Sequence, residues 1–160
     1  MVEDAKFEDA HERPLKLIAQ DVEDLAVISA LVQDAVFPIT EMAWQPRRRR
    51  FALLVNRFRW EDRDKAAARR RPVERVQTVL AFGDVAKVQS QGVDRGEKDY
   101  VLSLLSIAFE PGDDGTGRVV LTLAGDGAIA LEVEALDVTL QDVTRPYAAP
   151  SHRAPEHPEA

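Results

Sequence analysis

The stretch that most restricts the fold runs from residue 118 to 143, where apolar residues alternate with polar or small ones on both sides of the turn AGDGA (124–128). Val119, Leu121 and Leu123 precede the turn, and Ile129, Leu131 and Val133 follow it. A period of two predicts a half-buried antiparallel strand pair. Setting Val119 against Val133, Leu121 against Leu131 and Leu123 against Ile129 puts both rows on one face. That pairing leaves a three-residue loop, 125–127, with Gly127 in the position that needs positive φ. A slip of one residue would turn one apolar row to water. Beyond Val133 the apolar parity switches to Leu136, Val138 and Leu140, which predicts a bulge or a corner.

The same alternation recurs through the chain. Leu15, Leu17 and Ala19 predict a first strand. Asp21 reads as an N-cap, with Glu23 and Asp24 suited to the positive end of a helix. Val22, Leu25, Ile28, Val32 and Ala35 then recur at helical spacing, predicting an amphipathic helix of about four turns that Pro38 stops. Met42 and Trp44, the basic turn QPRRRR (45–50), and Phe51, Leu53 and Val55 read as strand, turn and strand. Parity then moves to Phe58 and Trp60, which predicts a second bulge near Asn56. Residues 61–72 carry no apolar stripe and read as a mobile connection or a short exposed helix. Val76, Thr78, Leu80 and Phe82 form another strand, broken at Gly83-Asp84 and resumed at 85–89. Tyr100 to Phe109 is apolar on both faces and reads as a central, doubly covered strand. Together these predict an α+β domain. It is a mainly antiparallel, strongly curved sheet or partly open barrel of about seven strands, with one N-terminal amphipathic helix. Residues 1–13 read as a disordered N-terminus, 14–143 as a single domain and 144–160 as a Pro-rich disordered tail.

Charge is distributed unevenly. The whole chain carries -7, yet between Arg47 and Arg75 twelve Lys/Arg face only four Asp/Glu. A basic belt on an acidic body is the main functional signal here. With no cysteine, disulfides, thiolate metal sites and thiol nucleophiles are excluded. The polar, acidic N-terminus does not read as a signal peptide, and no apolar run has spanning length. The expectation is a cytoplasmic protein without cofactor or membrane.

Three segments, LKLIAQDVEDLAVISALVQDA (15–35), PRRRRFALLVNRFRWE (46–61) and GDGAIALEVE (125–134), resemble a small family of uncharacterised alphaproteobacterial proteins. The resemblance covers roughly residues 14–145. It implies a bacterial, cytoplasmic, single-domain protein, and it supplies no catalytic residues because the family has no known function.

The candidate site is the arginine turn, Arg47, Arg48, Arg49 and Arg50, with Arg57 and Arg59 on the next strand. Guanidinium groups fork onto phosphate or carboxylate oxygens, so a cluster of them suits an anionic partner. Trp44, Phe58 and Trp60 lie close by and suit either stacking on bases or burial in a core. Arg69, Arg70, Arg71 and Arg75 extend the basic stretch. Elsewhere the chemistry is thin. His11, His152 and His157 all fall in the expected disordered ends, leaving no histidine for metal or base. Ser103 and Ser106 lack such a base. Glu132 and Glu134 share a strand face, the ordinary pattern of exposed residues. The leading expectation is a non-catalytic module whose basic hairpin binds nucleic acid or an acidic protein surface. One alternative is a small-molecule-binding domain or enzyme with its pocket in the curved sheet; another is a self-associating structural subunit.

Overall fold

Period-two alternation produces a sheet only when each strand finds a partner, and in this chain most partners are distant. The computed structural model of the protein describes residues 14–70, 73–93 and 100–148. In chain order its elements are β1 (Lys16–Ala19), α1 (Val22–Leu31), β2 (Val36–Pro38), β3 (Met42–Gln45), β4 (Arg50–Phe58), α2 (Arg63–Ala68), β5 (Glu74–Phe82) and β6 (Val85–Gln91). There follow β7 (Val101–Pro111), β8 (Gly117–Leu123), β9 (Ala128–Val133), β10 (Val138–Asp142) and β11 (Tyr147–Ala148). All pairings are antiparallel, in the spatial order β1-β10-β5-β4-β2-β7-β8-β9-β6, with β3 added to β4 and β11 to β5. The path is open, its ends being β1 and β6.

This overturns the expected sheet of about seven strands with a single helix. Eleven strands and a second α-helix, α2, are present among the described residues. Part of the shortfall has a physical origin: β2 and β11 have three residues or fewer, too short for alternation to register. The parity switch after Val133 is a corner between two strands with different neighbours. β9 pairs with β8 and β6, whereas β10 pairs with β5 and β1. β5 and β6 are likewise separated by a corner at Gly83-Asp84. Gly83 N–H donates to Asp137 O, Val85 N–H to Arg49 O and Glu134 N–H to Asp84 O, each at 2.9 Å. Asp84 takes the left-handed conformation (φ 54°) that this bend requires.

Asp21 caps α1 as expected, its carboxylate accepting from Asp24 N–H at 2.8 Å. Leu25 and Ile28 are buried, and Ser29 Oγ accepts a bond from Ile107 N–H, which fixes the helix against β7. The helix has ten residues and ends well before Pro38. Asp34 (φ 64°) reverses the chain, and Asp34 N–H and Ala35 O bond to Leu104 to begin β2. Pro38 therefore belongs to a strand.

Two further expectations are corrected by register. β4 pairs with β5 without a break from Phe51–Phe82 to Phe58–Arg75, so no bulge lies at Asn56. Its buried odd face simply continues from Val55 to Arg57. Conversely, β7 is covered on one face only, and the bulge falls there, between Leu104 and Ser106. The shift moves the buried set from Leu102 and Leu104 to Ile107 and leaves Leu105 exposed, which made the sequence look apolar on both faces.

The 118–143 hairpin exists, but two residues from the expected register. Val119 faces Leu131, Leu121 faces Ile129 and Gly117 faces Val133. A shift of two keeps both rows inward, so alternation cannot distinguish the two pairings. The turn decides, with Gly125 (φ 80°) and Asp126 (φ 67°) taking positive φ instead of Gly127. Gly127 serves a different purpose: a Cβ there would lie 3.3 Å from Gly92 O and 3.4 Å from Gln91 O on the neighbouring strand.

Candidate anion-recognition surface

The antiparallel pair β3–β4, in register from Met42–Leu53 to Gln45–Arg50, carries the arginine turn at its tip. Pro46 opens a one-turn 3-10 helix, Pro46–Arg48, its fixed φ suiting the first position. Arg49 ends it in the left-handed conformation (φ 55°, ψ 39°), its N–H bonded to Pro46 O at 3.1 Å. Arg47 and Arg48 are exposed, and Arg49 and Arg50 are partly covered. Arg49 is paired with Glu134 on the link between β9 and β10. The Glu134 hydrogen bond holds the Arg49 guanidinium above its ordinary pKa, helped by the charges of Glu134 and Asp84. Reciprocally, the Arg49 hydrogen bond and charge hold Glu134 below the usual carboxylate value. Glu132 has its own arginine, Arg118, at 2.9 Å, so the two glutamates of β9 and its link are both engaged.

A depressed carboxylate pKa makes the pair's contribution present above the ordinary glutamate value and lost as pH falls through the lowered one. Acid should therefore release the tip from the β9–β10 link. Carbon-detected NMR titration should place the Glu134 midpoint below about 4.3. Arg49→Ala should return it to that ordinary value; an unmoved midpoint in the variant would show that Arg49 is not the cause.

Arg57 is placed quite differently from the turn arginines. It is fully buried, on the inward face of β4. Its Nη2 donates to Asp142 Oδ2 and Glu61 Oε2 at 2.9 Å, Nη1 to Glu61 Oε1 at 2.8 Å, and Nε to Thr78 Oγ1 and Asp142 Oδ1 at 3.2 Å. Thr78 Oγ1 also donates to Asp142 Oδ1 at 2.7 Å. Burial works against the charged form, but the bonds from Glu61 and Asp142 outweigh it and leave the guanidinium pKa raised. This group is a structural clasp joining β4, β5 and β10, and Asp142 also receives Leu15 N–H beside β1. Arg59 is paired with Glu74 at 2.7 Å and Asp62 at 3.6 Å.

The rest of the basic belt lies at the far end of β4. β4 is nine residues long, so its two ends lie roughly 26 Å apart at ~3.3 Å per step. There Arg75 stacks over Phe58 at 4.6 Å and Arg63 over Trp60 at 5.7 Å. Trp60 Nε1 donates to Gln33 O at 2.9 Å, and the Phe58 and Trp60 rings sit 5.5 Å apart. Trp44 packs against the core. Arg69 and Arg70 are exposed, while Arg71 lies outside the described residues, as do His11, His152 and His157. The structure thus brings Arg47 to Arg50 together and separates them from Arg57 and Arg59. Among the described residues, no three His, Cys, Asp or Glu side chains are grouped to hold a metal ion, and no helix is long and apolar enough to cross a membrane.

Sequence reasoning missed the carboxylates: Glu61, Asp142 and Glu134, each the partner of an arginine it had offered for binding. Only Glu61, four residues after Arg57, left a local trace. The expected tail also takes part in the fold, since Thr144 Oγ1 accepts from Gln77 N–H and Tyr147 Oη donates to Asn56 Oδ1. Residues from 149 onward lie outside the described ones.

Fold and surface together define a small, sheet-rich α+β domain with an arginine-tipped hairpin. Within that class, the chain belongs to the family described as Protein of unknown function (DUF2948), whose model matches residues 15–157. No curated protein and no solved structure matches it.

Proposed function

We propose that this protein is a non-catalytic interaction module whose β3–β4 tip grips carboxylates on an acidic protein surface. Arg47, Arg48 and Arg50 make the contact, with Arg49 seated behind them on Glu134. One observation carries the reading: three guanidinium groups sit at one tip of a protein of net charge -7, and none of the three has an ion pair among the described residues. Arg57 and Arg59 are left out because the protein's own carboxylates already hold them. A carboxylate partner suits the tip better than a nucleic acid. The candidate stacking rings are covered or bonded internally, and the second arginine cluster stands too far away to extend one phosphate track. The sheet interior is filled by Phe37, Leu53, Leu80, Leu104, Leu121 and Leu131, which speaks against a pocket inside it. The proposed setting is a bacterial cytoplasm, in keeping with a cysteine-free chain.

Fluorescence anisotropy with labelled poly-glutamate and a labelled oligonucleotide, at stepped salt, tests this. The expected result is salt-sensitive binding of poly-glutamate, weakened at least tenfold in an Arg47→Ala, Arg48→Ala, Arg50→Ala variant. Preference for the oligonucleotide, with a log–log salt slope near -3 for about three phosphate contacts, would overturn the choice of partner. Binding of neither polymer by the monomeric protein would overturn the module itself.

A further inference from the structure

Beside the tip lies a groove of about 480 Å³, bounded by the start of α1, the β5–β6 corner and the β9–β10 link. Asp21, Asp84 and Asp137 line it together with Val22 and Leu136, and among the described residues no basic side chain does. Val22, on the first turn of α1, is 56% exposed and gives the groove an apolar wall. Groove and tip are immediate neighbours. Val85, next to Asp84, bonds through its N–H to Arg49 O, and Glu134, which holds Arg49, directly precedes the lining residues Ala135 and Leu136. Within one molecule Arg49 stops at this rim, and Arg47 and Arg48 form no ion pair with the groove's carboxylates.

We infer that a second copy of this chain occupies the groove, inserting the exposed Arg47 and Arg48 of its own tip between Asp21, Asp84 and Asp137. The inference rests on reading the tip as a carboxylate-gripping element, and it names the acidic surface. A basic patch adjacent to an acidic groove is self-complementary. One two-fold rotation lays each tip in the other's groove and closes the pair with two identical contacts. Arginine suits both parts of the groove, since the guanidinium forks onto aspartate while its apolar stem covers Val22 and Leu136. Without such pairing, the net charge of -7 on each copy would keep the chains apart.

Sedimentation equilibrium of the full chain at low and high salt provides the first test, with a mass of twice 17.8 kDa expected at low salt and dissociation at high salt. Charge reversal provides the second. Arg47→Glu with Arg48→Glu makes the tip acidic, and Gln20→Lys, Ala135→Lys and Asp137→Lys together make the groove basic. Each variant should be monomeric alone, while an equimolar mixture should recover the dimer, because acidic tip then meets basic groove and native tip meets native groove. Thermal melts confirm that each is folded, and Gln20→Lys with Ala135→Lys serves as the groove variant should the triple one fail. A wild-type monomer at low salt, a dimer that survives either reversal, or a mixture that stays monomeric would each overturn the inference. If the wild type is monomeric yet still binds poly-glutamate, self-pairing fails and the tip reading survives. If poly-glutamate binding is also absent, both fall.

Discussion

Replacing Arg57 by methionine should cost the protein about 3–5 kcal/mol of stability, the usual consequence of removing one member of a buried ion pair. The loss comes from what remains. Asp142 is only 8% exposed and would keep a carboxylate under the sheet with Thr78 as its nearest buried donor, while Glu61 would lose two bonds. At roughly 2–4 °C per kcal/mol for a chain of this size, the melting temperature should fall by about 6–20 °C. Arg57→Lys keeps the charge but cannot serve both carboxylates with paired bonds, so it should recover only part of the loss. Adding Asp142→Asn to Arg57→Met should restore stability relative to the single variant, because it removes the stranded charge. A melting temperature within 2 °C of wild type for Arg57→Met would show that the clasp contributes nothing net. It matters for function because β4 carries the arginine tip at one end and Arg57 near the other, so a loosened β4 would also loosen the tip.

Phe37→Ala should destabilise by a similar amount, about 3–5 kcal/mol. β2 is three residues long, yet it is the strand through which β4 and β7, and so the two halves of the sheet, are joined. All three of its residues are in register with β7, but its pairing with β4 is slight: Val36 is its one residue in register there, opposite Asn56, and Pro38 has no N–H to give. Packing must therefore hold the join, and Phe37, at 0% exposure, is the large side chain that does so. Hydrogen exchange should show the amides of β4 and β7 opening together in Phe37→Ala. Val36→Ala, at a half-covered position, should cost about 1 kcal/mol or less. Equal losses at the two positions would mean that the join rests on backbone pairing instead.

These two residues also mark where reading the chain succeeds and where it stops. Alternation located β5 and the 118–143 hairpin because each is long enough to show its period. The cap at Asp21 and the turn at Arg47 to Arg49 were legible because their chemistry is local. Phe37 was not, since β2 is shorter than any period and Pro38 looked like a helix stop. Arg57 was misjudged for a different reason: a guanidinium on a strand is ordinarily exposed, and the apolar pair Phe58 and Trp60 made the buried face look as if it changed at Asn56. The candidate site was half legible. Four consecutive arginines are plain in any reading, but which of the six proposed arginines remain available depended on carboxylates elsewhere in the chain.

By itself, the sequence determined the local facts: that the longer alternating segments are extended, which face of β5 and of the 118–143 hairpin is apolar, where the helix begins and where positive charge concentrates along the chain. Only the tertiary structure decided which strands are neighbours, whether the hairpin pairs at one register or two residues away, and which arginines are spent internally. The physical reason is range. Side-chain period and turn chemistry act over a few residues, whereas Arg57 and Asp142 are 85 positions apart and meet only because β4, β5 and β10 lie side by side.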